Sequence, residues 1–228
     1  MLRWPEAEGG GVRVREALSV EEGPAAEGAD RPSLVQRRKA ALRFEIAREA
    51  VRLFISQGVT ATTGEQIAQA VGVSSRTLWR HFPTKESCVL PLLAAGLDSA
   101  VGQLRLWPAD MSLLDFFADA CGRGGPPPAD PAVLDLIRMT SADPALRAVW
   151  LQAHDDALPV LAELLARRSG GSPDDLRVRV HAATLNGALR AAAEDFARRY
   201  ADDPVAPDRA IARCLLDAVR AASEGLPY

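Results

Sequence analysis

The chain has 228 residues, 48% of them apolar, 5% aromatic and 25% charged, which is enough for one large or two modest cores. No stretch of about 18 residues is free of both charge and Pro, so no segment is expected to span a bilayer. The net charge of −3 conceals a block: residues 1–36 carry −3, residues 37–86 carry +5 and residues 87–228 carry −5. Clustered cations suit a polyanionic partner, although charge alone fits a solvated basic face equally well.

Residues 1–33 are rich in Gly, Glu, Ala and Pro without helical or strand period, and a disordered leader is expected over 1–36. Glu6, Glu8 and the glycines that follow interrupt any apolar run, so a secretory signal is not expected and a cytoplasmic location is. From Leu34 a helical period begins. Leu42, Ile46, Ala50, Leu53 and Phe54 fall at steps of three and four, and Gly58 is placed to cap the helix they form.

Two short helices follow, from about Thr63 to Ala70 and from Ser74 to Phe82, with Pro83 ending the second. Thr84 is expected to cap a fourth helix from Lys85 to about Arg105, with Pro91 in its second turn. Further helices are predicted near 111–121, 131–141, 144–168 (kinked at Pro159), 173–200 and 207–223, with a loop from Arg123 to Pro131. No period-two pattern is present, so the fold class is all-α: a three-helix unit over 37–94 followed by a larger helical bundle over 95–228.

Residues Gly64 to Phe82 read GEQIAQAVGVSSRTLWRHF. Ala68 is small where two crossing helices must approach, Gly72 supplies the positive φ of a tight turn, and Ile67, Val71, Val73, Leu78 and Phe82 fill a miniature core. That is the pattern of a helix-turn-helix, and also of an ordinary helical hairpin. The outward residues of the second helix favour the former: Ser75, Arg76, Thr77, Trp79, Arg80 and His81 offer donors, cations and an aromatic ring, with no acid among them. Such a face suits a major groove. Lys85, expected in the first turn of the fourth helix, opposes the helix dipole unless a phosphate sits there. Thr63 can cap its helix and offer a second phosphate contact.

The run from Arg43 to Leu92, including TTGEQIAQAVGVSSRTLWRHFPTKES from Thr62, resembles the DNA-binding domain of the tetracycline-repressor (TetR) family. The resemblance covers about 50 residues. It implies a homodimeric regulator, a repressor that leaves a palindromic double-stranded operator when a small molecule binds the C-terminal domain. It implies that Thr63, Trp79, His81 and Lys85 hold phosphates and that Ser75, Arg76, Thr77 and Arg80 face the bases. Trp79 stands where the family more often has Tyr. Arg37, Arg38 and Lys39 could track a minor groove or lie solvated.

Beyond residue 95 the likeness reduces to being helical. Ala182, Ala183, Ala188, Ala191, Ala192 and Ala193, with the stripe Ile211, Leu215, Leu216, Val219 and Ala222, fit either a dimer interface or an internal core. The resemblance favours a homodimer through the last two helices, about 173–223. Trp107, Phe116, Phe117, Met139, Trp150 and His154 are the candidate walls of a pocket for a largely apolar inducer. Cys88, Cys121 and Cys214 are odd in number and widely spaced, neither a disulfide framework nor a metal set. No catalytic, phosphate-loop or metal pattern occurs, so no cofactor, no metal and no enzymatic activity are expected.

Overall fold

The computed structural model of the protein describes residues 33–123, 131–200 and 210–225. Nearly all of the expected leader, the centre of the 123–131 loop and the predicted start of the last helix at 207–209 lie outside the described residues. All regular structure among the described residues is helical.

The first helix, α1 (Leu34–Gln57), starts at a capping box. The Ser33 hydroxyl accepts from the Gln36 N–H, and the Gln36 carboxamide accepts from the Ser33 N–H. The helix therefore takes in residues 34–36, which the sequence division assigns to the leader. It ends at Gly58, with φ 87°. Next come α2 (Gly64–Val71) and α3 (Ser75–His81), joined through Gly72 in the left-handed region at φ 75°.

The expected fourth helix from Lys85 divides in two. Glu86–Val89 is a tight 3₁₀ turn, and α4 (Leu90–Leu104) follows it. Pro91 is the cause: it has no N–H to give the Ser87 carbonyl, so the Leu90 N–H donates there instead, one residue early. The remaining helices are α5 (Leu113–Gly122), α6 (Pro131–Met139), α7 (Pro144–Ser169), α8 (Leu176–Arg199) and α9 (Ala210–Glu224). The helix α7 is unbroken at Pro159, which lies on its exposed side where the loss of one ladder bond is tolerated.

Glu86–Leu104 has a mean hydropathy of 1.4 over 19 residues, which by length and composition alone is enough to cross a membrane, contrary to the sequence expectation. Its large apolar side chains Leu92, Leu93, Leu97, Val101 and Leu104 are buried against other helices, so it packs as a core helix.

Two apolar clusters fill the molecule. The first joins Ile46, Phe54, Ile67, Leu78 and Phe82 of the N-terminal helices to Leu93, Leu136, Leu146, Trp150 and Ala197. The second gathers Val101, Leu104, Phe116, Phe117, Leu161, Leu185, Leu189 and Val219 around α4, α5, α7, α8 and α9. A division at residue 94 thus falls inside α4 and inside one continuous core.

Candidate nucleic-acid interface

The helices α2 and α3 cross at small residues. Gly64 and Ala68 are buried, Ile67, Leu78 and Phe82 seal the crossing, and Val71 and Val73 pack at its edge. Thr63 caps α2: its hydroxyl accepts from the Gln66 N–H at 3.2 Å, and its own N–H donates to the Gln66 carboxamide at 2.8 Å. The Gln57 amide donates to the same Gln66 oxygen at 2.9 Å, which ties the end of α1 to the start of α2.

The helix α3 is fixed at both ends. At its start the Ser74 hydroxyl accepts from the Thr77 N–H at 3.1 Å and pairs with the Thr77 hydroxyl at 2.9 Å. At its end Arg43, from α1, donates to the His81 carbonyl at 3.0 Å while its guanidinium stacks 4.6 Å from the centre of the Phe82 ring. What α3 then presents outward is Arg76, Trp79 and Arg80, all exposed, with Ser75, Thr77 and His81 half-buried beside them. Thr63 is exposed on the adjoining helix start.

Positive potential gathers at the far end of this face. Burial, then Arg80, Lys39 and Arg43, hold the His81 imidazole below its ordinary pKa. Its Nδ1 is buried and has no protein partner among the described residues. Lys39, one of the three cations that follow the leader, thus acts on α3 across space.

Lys85 departs from expectation. It does not stand in the first turn of an α-helix, because that turn is the 3₁₀ segment displaced by Pro91. Its ammonium donates to the Val59 carbonyl at 2.6 Å and the Thr62 carbonyl at 2.7 Å, with Thr60 at 3.4 Å. The side chain is a staple for the α1–α2 loop rather than a free point charge. It supports Thr63 from behind.

Three parts of the site were not anticipated from the sequence. The T-x-x-Q spacing of Thr63 and Gln66 signals a capping box, whereas the seating of α3 by Arg43, 38 residues away, leaves no local trace. Nor does the fit of Trp79 on Gly64, where an added Cβ would lie 2.1 Å from the indole Cζ2.

The six residues expected to wall one pocket do not meet. Trp107, Phe116 and Phe117 belong to the second apolar cluster, whereas Met139 and Trp150 belong to the first. Trp107 is pinned: its indole N–H donates to the Met111 carbonyl at 2.8 Å, and Arg168 stacks 3.4 Å over its ring while donating to the carbonyls of Pro108 and Met111. Two surface grooves, about 160 Å³ at Leu165, Arg168 and Val178 and about 230 Å³ along the α8–α9 seam, do not include any of the six.

His154 and Trp150 do share a site. On α7, Arg147 and Trp150 both donate to one carboxylate oxygen of Glu194 on α8, at 2.8 and 2.9 Å. One turn further along, the buried His154 Nδ1 lies 2.7 Å from the Asn186 carboxamide oxygen, and the rings of Trp150 and His154 meet edge to face at 4.2 Å.

The small residues of α8 also divide. Ala182, Ala188 and Ala192 are buried within the chain, and Val219, Leu215, Leu216 and Ala222 of α9 pack into the second cluster, so most of the expected interface pattern is internal core. Leu176, Val180, Ala183 and Ala191 remain exposed along α8.

Residues 46–92 match the sequence profile of the family described as bacterial regulatory proteins, tetR family, and residues 124–227 match the profile described as MftR C-terminal domain. The chain is 34% identical over 152 residues to the HTH-type transcriptional regulator TcmR of Streptomyces glaucescens, covering 63% of this chain and 67% of that one. It is 40% identical over 67 residues to the HTH-type transcriptional repressor KstR2 of Rhodococcus jostii (strain RHA1), covering 29% of this chain and 33% of that one. Among solved structures, GusR of Salmonella enterica superposes with a TM-score of 0.51 at 18% identity, over 81% of this chain and 96% of that one, a likeness of fold.

Proposed function

The chain belongs to the tetR family of bacterial regulatory proteins, and on that premise we propose that it is a dimeric repressor, released from a palindromic operator by a small, largely apolar molecule. It is a DNA-binding transcriptional regulator with a helix-turn-helix, acting on DNA in the cytoplasm. The observation that carries the reading is the outer face of α3: exposed Arg76, Trp79 and Arg80 on a helix clamped by Ser74 at one end and Arg43 at the other. A helix locked this firmly reads a groove with little loss of conformational entropy on binding.

Within that face, Ser75, Arg76, Thr77 and Arg80 meet base edges, while Thr63, Trp79 and His81 meet phosphate and sugar. Lys85 serves the same contacts by holding the loop in front of Thr63. A relative named as a repressor supports repression. Exposed Leu176, Val180, Ala183 and Ala191 on α8 support a second copy there. Dimerisation supplies the paired reading that a single short helix lacks.

Selection of random duplexes by the purified full chain tests this. The expected result is a two-fold symmetric site whose half-sites are centred about 34–36 Å apart or a multiple of that. An unenriched pool, or a single asymmetric half-site bound by a monomer, would overturn the reading.

A further inference from the structure

His154 is 2% exposed, in the middle of α7, and its ring is oriented by a reciprocal pair. The Asn186 amide nitrogen donates to the His154 main-chain carbonyl at 3.1 Å, so the carboxamide cannot be turned round: a carbonyl only accepts. Its oxygen must therefore face the ring, and Nδ1, 2.7 Å away, must carry the proton that it accepts. In the neutral imidazole this leaves Nε2 as a lone-pair acceptor. No donor of the described residues reaches Nε2, which is buried. A buried acceptor that no donor of the described residues reaches is costly, and native structures rarely leave one unexplained.

Its place in the fold explains it. On α7, Trp150 and Ala153 belong to the apolar cluster that continues into the helix-turn-helix, and Leu161 and Leu164 belong to the other cluster. Asn186, across on α8, is flanked by Leu185 and Leu189 of that second cluster. The pair is thus a polar break between the two apolar clusters.

We propose that His154 Nε2 is the polar anchor of the effector site, accepting a hydrogen bond from a hydroxyl or N–H group on an otherwise apolar molecule. This rests on reading the helical domain as effector-binding. The apolar body of such a molecule enters between the clusters, and its donor meets Nε2, a buried acceptor that no donor of the described residues reaches. A ligand presenting only acceptors, or a carboxylate, is refused there, because lone pairs would face lone pairs. Binding at this break presses on Trp150, whose cluster reaches the recognition helix through Phe82 and Leu78.

The test uses the full chain and a matched pair of probes, 1-naphthol and 1-methoxynaphthalene, which share the ring system and differ in the donor. At pH 7.5 isothermal titration is expected to show 1-naphthol binding about tenfold tighter. His154→Phe is expected to reduce that preference to near one while still binding the methoxy compound. Because the variant removes a buried polar group, long-range ¹⁵N spectra of the wild type give an independent reading. Nε2 should show the signal of an unprotonated nitrogen and shift when 1-naphthol is added. Equal affinity for the two probes, a preference that survives His154→Phe, or a protonated Nε2 would overturn the anchor and leave the effector-binding reading standing. If neither probe binds a protein that still binds its selected duplex, both fall together.

Discussion

Trp79 lies across Gly64, so that the first residue of α2 is the floor on which the largest side chain of the recognition helix rests. A Cβ at Gly64 would stand 2.1 Å from Cζ2 and 2.2 Å from Cη2 of the indole. With 40% of Trp79 exposed, the ring can swing aside. Gly64→Ala is therefore expected to change unfolding free energy by less than about 1 kcal/mol, helix propensity offsetting the displaced ring. Operator affinity should fall by about 1–2 kcal/mol because the ring leaves its contact position. In a Trp79→Ala background the same substitution should be silent in binding. Anisotropy titrations of the four proteins close this cycle, and equal losses in both backgrounds would show that the two residues act separately.

Arg76 is exposed early in α3, where a guanidinium can pair with both acceptors of a guanine. Arg76→Ala should remove about 1–3 kcal/mol from binding to the selected operator and much less from binding to a scrambled duplex. Equal weakening on both duplexes would move Arg76 to the backbone contacts.

The staple at Lys85 makes an opposite forecast. Its loss leaves the carbonyl of fully buried Thr62 without its donor and the Val59 carbonyl with the Thr62 N–H at 3.3 Å alone. Lys85→Ala should therefore lower stability by about 1–3 kcal/mol in urea unfolding, and leave the salt dependence of DNA binding unchanged. A drop of about one in the logarithmic salt slope at unaltered stability would instead identify a direct phosphate contact.

Acid should loosen the fold through His154. Burial is the main cause that holds its imidazole below the ordinary 6.5; Arg190 adds to this, while Asn186 and Glu194 oppose it. The folded state thus binds fewer protons than the unfolded one. Stability is unaffected above pH 6.5 and falls as pH drops from 6.5 toward the folded value. His154→Phe should flatten the fall by at most about 1.4 kcal/mol per pH unit, the contribution of one proton. The depressed His81 titrates with the same sign and leaves a residual slope in that variant. Urea midpoints between pH 7.5 and 5 measure the difference, and identical slopes would exclude His154 as the source.

What could be read from the residue order was whatever is local. Gly58 and Gly72 ended helices as their conformational freedom requires, and the spacing of Ile67, Ala68, Leu78 and Phe82 disclosed the crossing of α2 and α3. Pro91 was recognised as unusual, yet its effect, a 3₁₀ turn with Lys85 left outside the helix, depends on which N–H replaces the missing one. The aromatic residues of the C-terminal half were sorted by size, and size does not say which cluster a ring joins. Trp107 went to Arg168 and Trp150 to Glu194, partners 61 and 44 residues distant. The pairing of His154 with Asn186 was equally out of reach, because an asparagine among leucines and alanines carries no period of its own.

The core that runs unbroken from Ile46 to Ala197 limits how this regulator can be taken apart. A chimera cut after residue 94 would strip the reader of Leu97, Leu136, Leu146 and Trp150, and its exposed stump would collapse or aggregate. Grafting another sensor onto this reader succeeds only if the graft brings side chains shaped to the same cleft. Heated in a calorimeter, the chain should show one endotherm with matching van't Hoff and calorimetric enthalpies, since reader and sensor share the interior that melts.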